Sequence, residues 1–180
     1  MAKALSRKPK PVFTLGHSTL PFEKFVALLK AHGARRVIDI RTIPRSRHNP
    51  QYDQKRFSSS LRKSGLEYVH LKDLGGLRKP KVDSQNSAWR NASFRGYADY
   101  MQTPEFENGL EKAIRLSQEK VSALVCAEAL PWRCHRSLVS DAFVIRGIPV
   151  EHIYSNSRSE AHELTDFAKV RGTKITYPGG

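Results

Sequence analysis

Short apolar runs alternate with amphipathic stretches along this chain. Val12-Phe-Thr-Leu15 is apolar and β-branched and ends in Gly16-His17-Ser18-Thr19, the pattern of a buried strand entering a loop. Phe22, Phe25, Val26, Leu28 and Leu29 then recur at helical spacing, with Ser18 or Thr19 as the cap and His32-Gly33 as the stop. Arg36-Val-Ile-Asp-Ile-Arg41 predicts a second strand, followed by a polar loop broken by Pro44 and Pro50. Residues 53–64 place Phe57 and Leu61 on one helical face before Gly65, and Glu67-Tyr-Val-His-Leu71 predicts a third strand. The stretch from Lys72 to Asn91 is long and polar and predicts a mobile loop. Residues 94–119 predict two helices divided at Thr103-Pro104, since proline suits a first helical turn. Val121-Ser-Ala-Leu-Val-Cys126 is the strongest strand signal, and a helix carrying Leu138, Val139, Ala142, Phe143 and Val144 follows it to Gly147. Ile148 to Tyr154 predicts a fifth strand, and residues 159–171 a last helix.

Five strands with helices between them predict a single α/β domain over residues 12–171. Its sheet is expected to be five-stranded and mainly parallel, with helices on both faces. The flanks read as a basic disordered tail, residues 1–11, and a C-terminal tail, residues 172–180. A chain of 180 residues can bury a core without covalent staples, and two cysteines make neither a disulfide framework nor a four-cysteine zinc site. No apolar stretch reaches the length of about 18 residues that a membrane span needs, and the basic start lacks the apolar segment of a secretory signal. The expectation is a cytoplasmic protein with no membrane partner; the pattern leaves the oligomeric state open.

Charge changes the picture most. The net formal charge is +14, and residues 1–95 hold twenty-one Lys/Arg against six Asp/Glu. Such asymmetry favours a polyanionic partner, because neutralised phosphates release counterions and the field steers association.

In open parallel sheets, ligands bind beyond the carboxyl ends of the strands. That rule gathers His17 and Ser18, Asp39, Arg41, Arg45 and Arg47, the Asp73-Leu-Gly-Gly76 turn, and the run from Cys126 to Arg136 onto one rim. A cysteine at a helix N-terminus beside arginine or histidine has a stabilised thiolate, and Cys134, flanked by Arg133 and His135, meets both conditions. Cys126 leaves a strand with Arg133 seven residues on. That layout is similar to phosphatases and sulfurtransferases, although the loop is not glycine-rich; the other reading of Cys126 is a small buried hydrophobe. Cys126-Ala-Glu128 with a later Pro131 and Cys134 also looks like a zinc deaminase, but the spacing and the missing third ligand argue against one. Cys126, Cys134, His135 and His17 suit a metal by ligand type alone, so no metal ligands are assigned and the cofactor stays unspecified. His17, Asp39, Glu128 and His135 are candidates to move protons. Arg41, Arg45, Arg47, Arg95, Arg133 and Arg136 suit phosphate clamping. Tyr97 and Tyr100, next to Arg95, can stack a base or pack a helix face.

Taken together, Thr14-Leu-Gly-His-Ser-Thr19, Asp39-Ile-Arg41, Pro44-Arg-Ser46, Asn49-Pro-Gln-Tyr52, Leu74-Gly-Gly76, Phe94-Arg-Gly-Tyr-Ala-Asp-Tyr-Met101 and the Cys126–Arg136 run resemble the family called domain of unknown function 488, over about residues 12–155. The resemblance implies a compact α/β domain of a prokaryotic, cytoplasmic protein and brings no reaction with it. The functional expectation is therefore an enzyme, a hydrolase or transferase, acting on a phosphate-bearing small molecule or nucleic acid at the carboxyl edge of the sheet. In it Cys126 or Cys134 is the nucleophile. The alternatives are a non-catalytic nucleic-acid-binding module and a metal- or redox-sensing protein.

Overall fold

The computed structural model describes residues 7–180. Its elements are β1 (Val12–Gly16), α1 (Phe22–Ala31), β2 (Arg36–Asp39), α2 (Gln54–Lys63), β3 (Glu67–His70), α3 (Ala92–Tyr100), α4 (Pro104–Glu119), β4 (Ser122–Cys126), α5 (Arg136–Val144) and β5 (Val150–Ser155), followed by β6 (Arg158–Ala161), β7 (Lys169–Arg171) and β8 (Lys174–Thr176). The main sheet has six strands in the order β3-β2-β4-β1-β5-β6, one more than expected. All its pairings are parallel except β5 with β6.

The pleat sorts side chains into two cores. On β4, Ala123 and Val125 face the side covered by α1 and α2, where Phe25, Leu29, Phe57 and Leu61 are buried. Leu124 and Cys126 face the side of α3, α4 and α5, with Tyr97, Phe106, Leu110 and Leu138. Each fully buried side chain of this size contributes about 1.5–3 kcal/mol of transfer free energy, so the inner strands are fixed from both faces. α1 has no side-chain cap from Ser18 or Thr19; Pro21 occupies the N-cap position. Thr103 caps α4 by accepting from the Phe106 N–H, with Pro104 in the first turn.

The expected helix over residues 159–171 is not there. Arg158–Ala161 instead returns antiparallel along β5, and β7 and β8 form a small hairpin. Gly172, at φ 65°, sits in the turn between them, a conformation open to glycine without strain. Within the last nine residues Ile175 and Tyr177 are buried, and the Tyr177 hydroxyl donates to the Asp141 carboxylate at 2.8 Å. At the other end, residues 1–6 of the basic segment lie outside the described residues. Lys10 is held by its backbone, which exchanges hydrogen bonds with the Gln118 side chain at 2.9 and 3.1 Å.

The stretch 72–91 is irregular apart from a 3₁₀ turn at Lys72–Leu74, and it is pinned from within. The buried Asp99 carboxylate accepts from the Lys81 N–H, Ser84 Oγ and Asn86 Nδ2 at 2.6–2.8 Å. Burial pushes the Asp99 carboxyl up, but these donors outweigh it and hold its pKa below the usual range.

Candidate active site

The chain leaves β1 through α1 on one face of the sheet and leaves β4 through α5 on the other. β1 and β4 are neighbours, so their loops diverge and open a crevice beyond their carboxyl ends. On the β2 side of β4, a cavity of about 320 Å³ is lined by residues that follow β2 and β3, by the Cys126–His135 loop after β4 and by the first turns of α3. Cys126, Cys134 and His135 form its reactive wall, Ile43, Leu77, Phe94 and Tyr97 its apolar wall, and Arg41, Arg45, Glu128 and Arg133 its remaining polar lining.

Close approach of the two loops depends on Gly16. A Cβ there would lie 1.7 Å from the Glu128 carbonyl oxygen and 2.9 Å from Arg136 Nη1, so only glycine lets the end of β1 pass beneath the loop after β4. The turn out of β1 is made at Ser18, which takes φ 44° and whose N–H bonds Ala127 O at 2.9 Å.

Cys126 and Cys134 are both buried free thiols with their Sγ atoms 2.7 Å apart. Arg136, itself 1 % exposed, turns back from the first turn of α5 and donates from Nη1 to Cys126 Sγ at 2.8 Å and to Glu128 O at 3.0 Å. Its Nη2 donates to Ala129 O at 3.2 Å, and its Nε is buried without a partner. Among the described residues, no carboxylate pairs with this guanidinium. Arginine cannot discharge itself by losing a proton, so the charge is balanced most directly by a thiolate on Cys126. Burial alone raises the Cys126 pKa; the bond from Cys134, the Arg136 charge and the Glu128 backbone contact outweigh it and bring it below the ordinary thiol range. Cys134 moves the opposite way, because it keeps the shared proton beside the Cys126 anion and is buried as well. The sequence pattern favours Cys134 as the activated thiol through its helix terminus; the path of the Arg136 side chain transfers that role to Cys126.

His135 lies against Gly76 and Tyr97, with Nε2 donating to Ile40 O at 3.0 Å and Nδ1 3.6 Å from Cys134 Sγ. Burial, with Arg136 adding to it, lowers its pKa to about 4, so the ring is neutral at pH 7 and its Nδ1 lone pair faces the Cys134 thiol.

His17 stands behind the cavity wall. Its Nδ1 donates to Ser18 O at 2.9 Å, its Nε2 accepts from Arg41 Nη1 at 3.3 Å, and its ring stacks on Tyr52 at 4.0 Å. Burial first, then Arg41, brings its pKa down to about 4. Asp39 is fully buried and grips Arg41 in a fork, from Nε at 2.9 Å and Nη2 at 2.7 Å, with Tyr68 Oη also donating to it at 2.7 Å. Asp39 and His17 thus organise Arg41 rather than line the cavity.

Arg45 and Arg133 line the cavity with exposed side chains and no carboxylate partner among the described residues. Three predicted site residues lie elsewhere. Arg95 donates to Trp89 O and Arg90 O, Tyr100 donates to Asp73 O beneath the Arg78 guanidinium, and Arg47 is exposed outside the cavity lining. Tyr97 does line the cavity, but its hydroxyl is taken by Leu74 O at 2.7 Å. No group of three or more His, Cys, Asp or Glu side chains among the described residues is placed to hold a metal ion.

One constellation escaped the sequence reading. Thr14 Oγ1, His152, His162 and the buried Asp141 form a hydrogen-bonded chain with steps of 2.6, 2.9 and 2.7 Å. His152 and His162 also line a second cavity of about 800 Å³, with Trp89, Trp132, Tyr154 and Phe167. The period-2 pattern Val150-x-His152 was the available signal, since it puts the imidazole on a buried face of β5.

The architecture and the rim can now be set beside known proteins. No curated protein and no solved structure matches the chain. The model of the family described as Domain of unknown function DUF488 matches residues 21–143, which include Asp39, Arg41 and the whole Cys126–Arg136 segment but not His17, His152 or the Asp141 partners His162, Thr165 and Tyr177. With more than half of its length matched, this chain belongs to the DUF488 family.

Proposed function

We propose that the protein is a thiolate enzyme, a hydrolase or transferase that acts on a phosphate-bearing substrate in the cavity lined by the loops after β2, β3 and β4. The observation that carries this reading is the buried Arg136 guanidinium, which has no carboxylate partner among the described residues and sits 2.8 Å from a cavity-lining sulfur. A cation held there before substrate arrives keeps Cys126 nucleophilic at neutral pH. Arg45 and Arg133, free at the mouth, supply the charge for a phosphate, and the apolar wall takes the less polar part of the substrate. In the reaction, Sγ of Cys126 bonds to phosphorus as the bond to the leaving oxygen breaks. That oxygen leaves with a proton taken from water, and water or an acceptor hydroxyl then releases the phosphoryl group from sulfur.

The test pairs thiol titration with turnover. Alkylation of wild type by iodoacetamide, followed against pH, is expected to show one thiol with a midpoint below about 8, against about 8.5 for a free cysteine. Cys126→Ser should abolish that phase and lower turnover of an aryl phosphate by about 10³-fold or more. An ordinary midpoint, or full turnover by Cys126→Ser, would overturn the reading.

A second cleft favours a polyanionic form of the substrate. It shares Thr42, Ile43 and Arg45 with the cavity and is edged by Lys55 and Lys72. A nucleic acid bound along this basic edge would present a phosphate to Cys126. Its affinity is expected to fall by about tenfold or more between 50 and 200 mM salt, with each phosphate contact adding to the slope. An affinity for a short oligonucleotide that ignores salt over that range argues against nucleic acid as the ligand.

A further inference from the structure

We propose that Cys126 and Cys134 are a hydroperoxide-oxidised pair that closes reversibly into a disulfide. The proposal rests on the thiolate of the reading above and adds a chemistry that phosphoryl transfer does not require. Phosphoryl transfer from Cys126 has no use for Cys134. Yet Cys134 is held with its sulfur 2.7 Å from the nucleophile, and both line the same cavity. A covalent sulfur–sulfur bond is about 2.05 Å long, so closure needs a movement of under about 1 Å.

The neighbours divide the labour between the two thiols. Arg136 bonds the sulfur of Cys126 through its guanidinium and touches Cys134 only through its backbone N–H, at 3.4 Å. Cys126 is therefore the sulfur that meets the oxidant, and Cys134 is the protonated resolving partner, with the neutral His135 Nδ1 at 3.6 Å. In the first step the Cys126 thiolate attacks the distal oxygen of a hydroperoxide. A sulfur–oxygen bond forms, the oxygen–oxygen bond breaks, and the departing alkoxide or hydroxide takes a proton from water. Sulfur is oxidised by two electrons to the sulfenic acid, and the peroxide is reduced to an alcohol or water. In the second step Cys134 sulfur attacks Cys126 sulfur. Its proton leaves with the hydroxyl as water, aided by His135, and the disulfide forms.

The oxidised state removes the anion that balances Arg136, leaving that buried cation with only the Glu128 and Ala129 carbonyl oxygens. Such a disulfide is readily opened by a dithiol reductant, which returns two electrons and two protons and restores the thiolate. The site is then switched off by peroxide and on by thiols.

The test treats the full chain with one equivalent of hydrogen peroxide and reads intact mass, dimedone labelling and recovery with dithiothreitol. The expected result for wild type is a loss of two hydrogens, no dimedone adduct, and complete recovery of fast alkylation after reduction. Cys134→Ser is expected to gain one oxygen and take up dimedone, and Cys126→Ser to do neither on that timescale; far-ultraviolet circular dichroism checks that both variants are folded. Wild type that keeps its low alkylation midpoint but stops at a dimedone-reactive sulfenic acid would overturn the disulfide and leave the thiolate reading standing. An ordinary midpoint together with slow peroxide reaction would overturn both.

Discussion

Asp39→Ala is expected to destabilise the protein by about 3–5 kcal/mol, the loss typical of removing one partner of a buried ion pair. Asp39 is completely buried, and Arg41, its only ionic partner among the described residues, is 7 % exposed. The carboxylate accepts from three nitrogens of Arg41 and from the Tyr68 hydroxyl. Removing it leaves a guanidinium that cannot deprotonate, an unpaired phenol and a cavity. Against a total stability of about 5–15 kcal/mol for an ordinary domain, this brings the fold near its limit. The loss also reaches the site, because Arg41 Nη1 holds Tyr52 O at 2.9 Å and the His17 ring at 3.3 Å. The double variant Asp39→Ala/Arg41→Met should recover more than half of the loss, since it removes the stranded charge along with its partner. Urea unfolding of the wild type, both single variants and the double variant closes the cycle. A single-variant loss under about 1 kcal/mol, or plain additivity, would show that the pair does not organise this rim.

Acid is expected to unfold the protein early, with stability falling from about pH 6.5 downward. His17, His135 and His152 are neutral in the fold, with pKa values lowered to about 4, about 4 and about 3. Burial is the leading cause for each. The charges around them add to it: Arg41 and Arg136 face His17, opposed by Asp39; Arg136 and Arg78 face His135; and His162 and Arg136 face His152. In the unfolded chain all three titrate near about 6.5. Below that value the unfolded state binds protons that the fold rejects, so their contribution is complete above about pH 6.5 and is lost as pH falls toward their folded values. Each histidine then contributes a slope of about 1.4 kcal/mol per pH unit, or about 4 for the three together. Urea midpoints at pH 7.5, 6 and 5 measure the slope directly. A stability that stays flat from pH 7 to pH 5 would mean that these rings are protonated in the fold.

The strands were the most legible part of the fold. β1, β2 and β4 lie in short apolar runs ended by a polar turn, and burial on both faces of a parallel sheet demands that composition. The helices were legible through their spacing and punctuation, as Gly33 and Gly65 show by taking φ 75° and 79° just past α1 and α2. The region after Tyr154 was not. Leu164, Phe167 and Ala168 imitate a helical face, whereas the segment is committed to β pairing and to Asp141, which accepts from Thr165 and Tyr177 at 2.7 and 2.8 Å. A one-dimensional pattern does not display a hydrogen-bonding partner twenty-four or thirty-six positions away.

By itself the amino-acid sequence determined the α/β class, the parallel core and the set of loops at one rim, because each follows from local periodicity and turn chemistry along a few neighbouring residues. Only the tertiary structure decided how that rim is wired. It turned the Arg136 guanidinium onto the Cys126 sulfur, set the Cys134 sulfur beside it, paired the cavity-lining Arg41 with the buried Asp39, and left Arg45 and Arg133 at the mouth with no carboxylate partner among the described residues. Which charge meets which depends on the paths of long side chains through a low-dielectric interior, and an ångström there decides between a buried pair and a free ligand. That distance is a property of the packed whole and of no single segment of the chain.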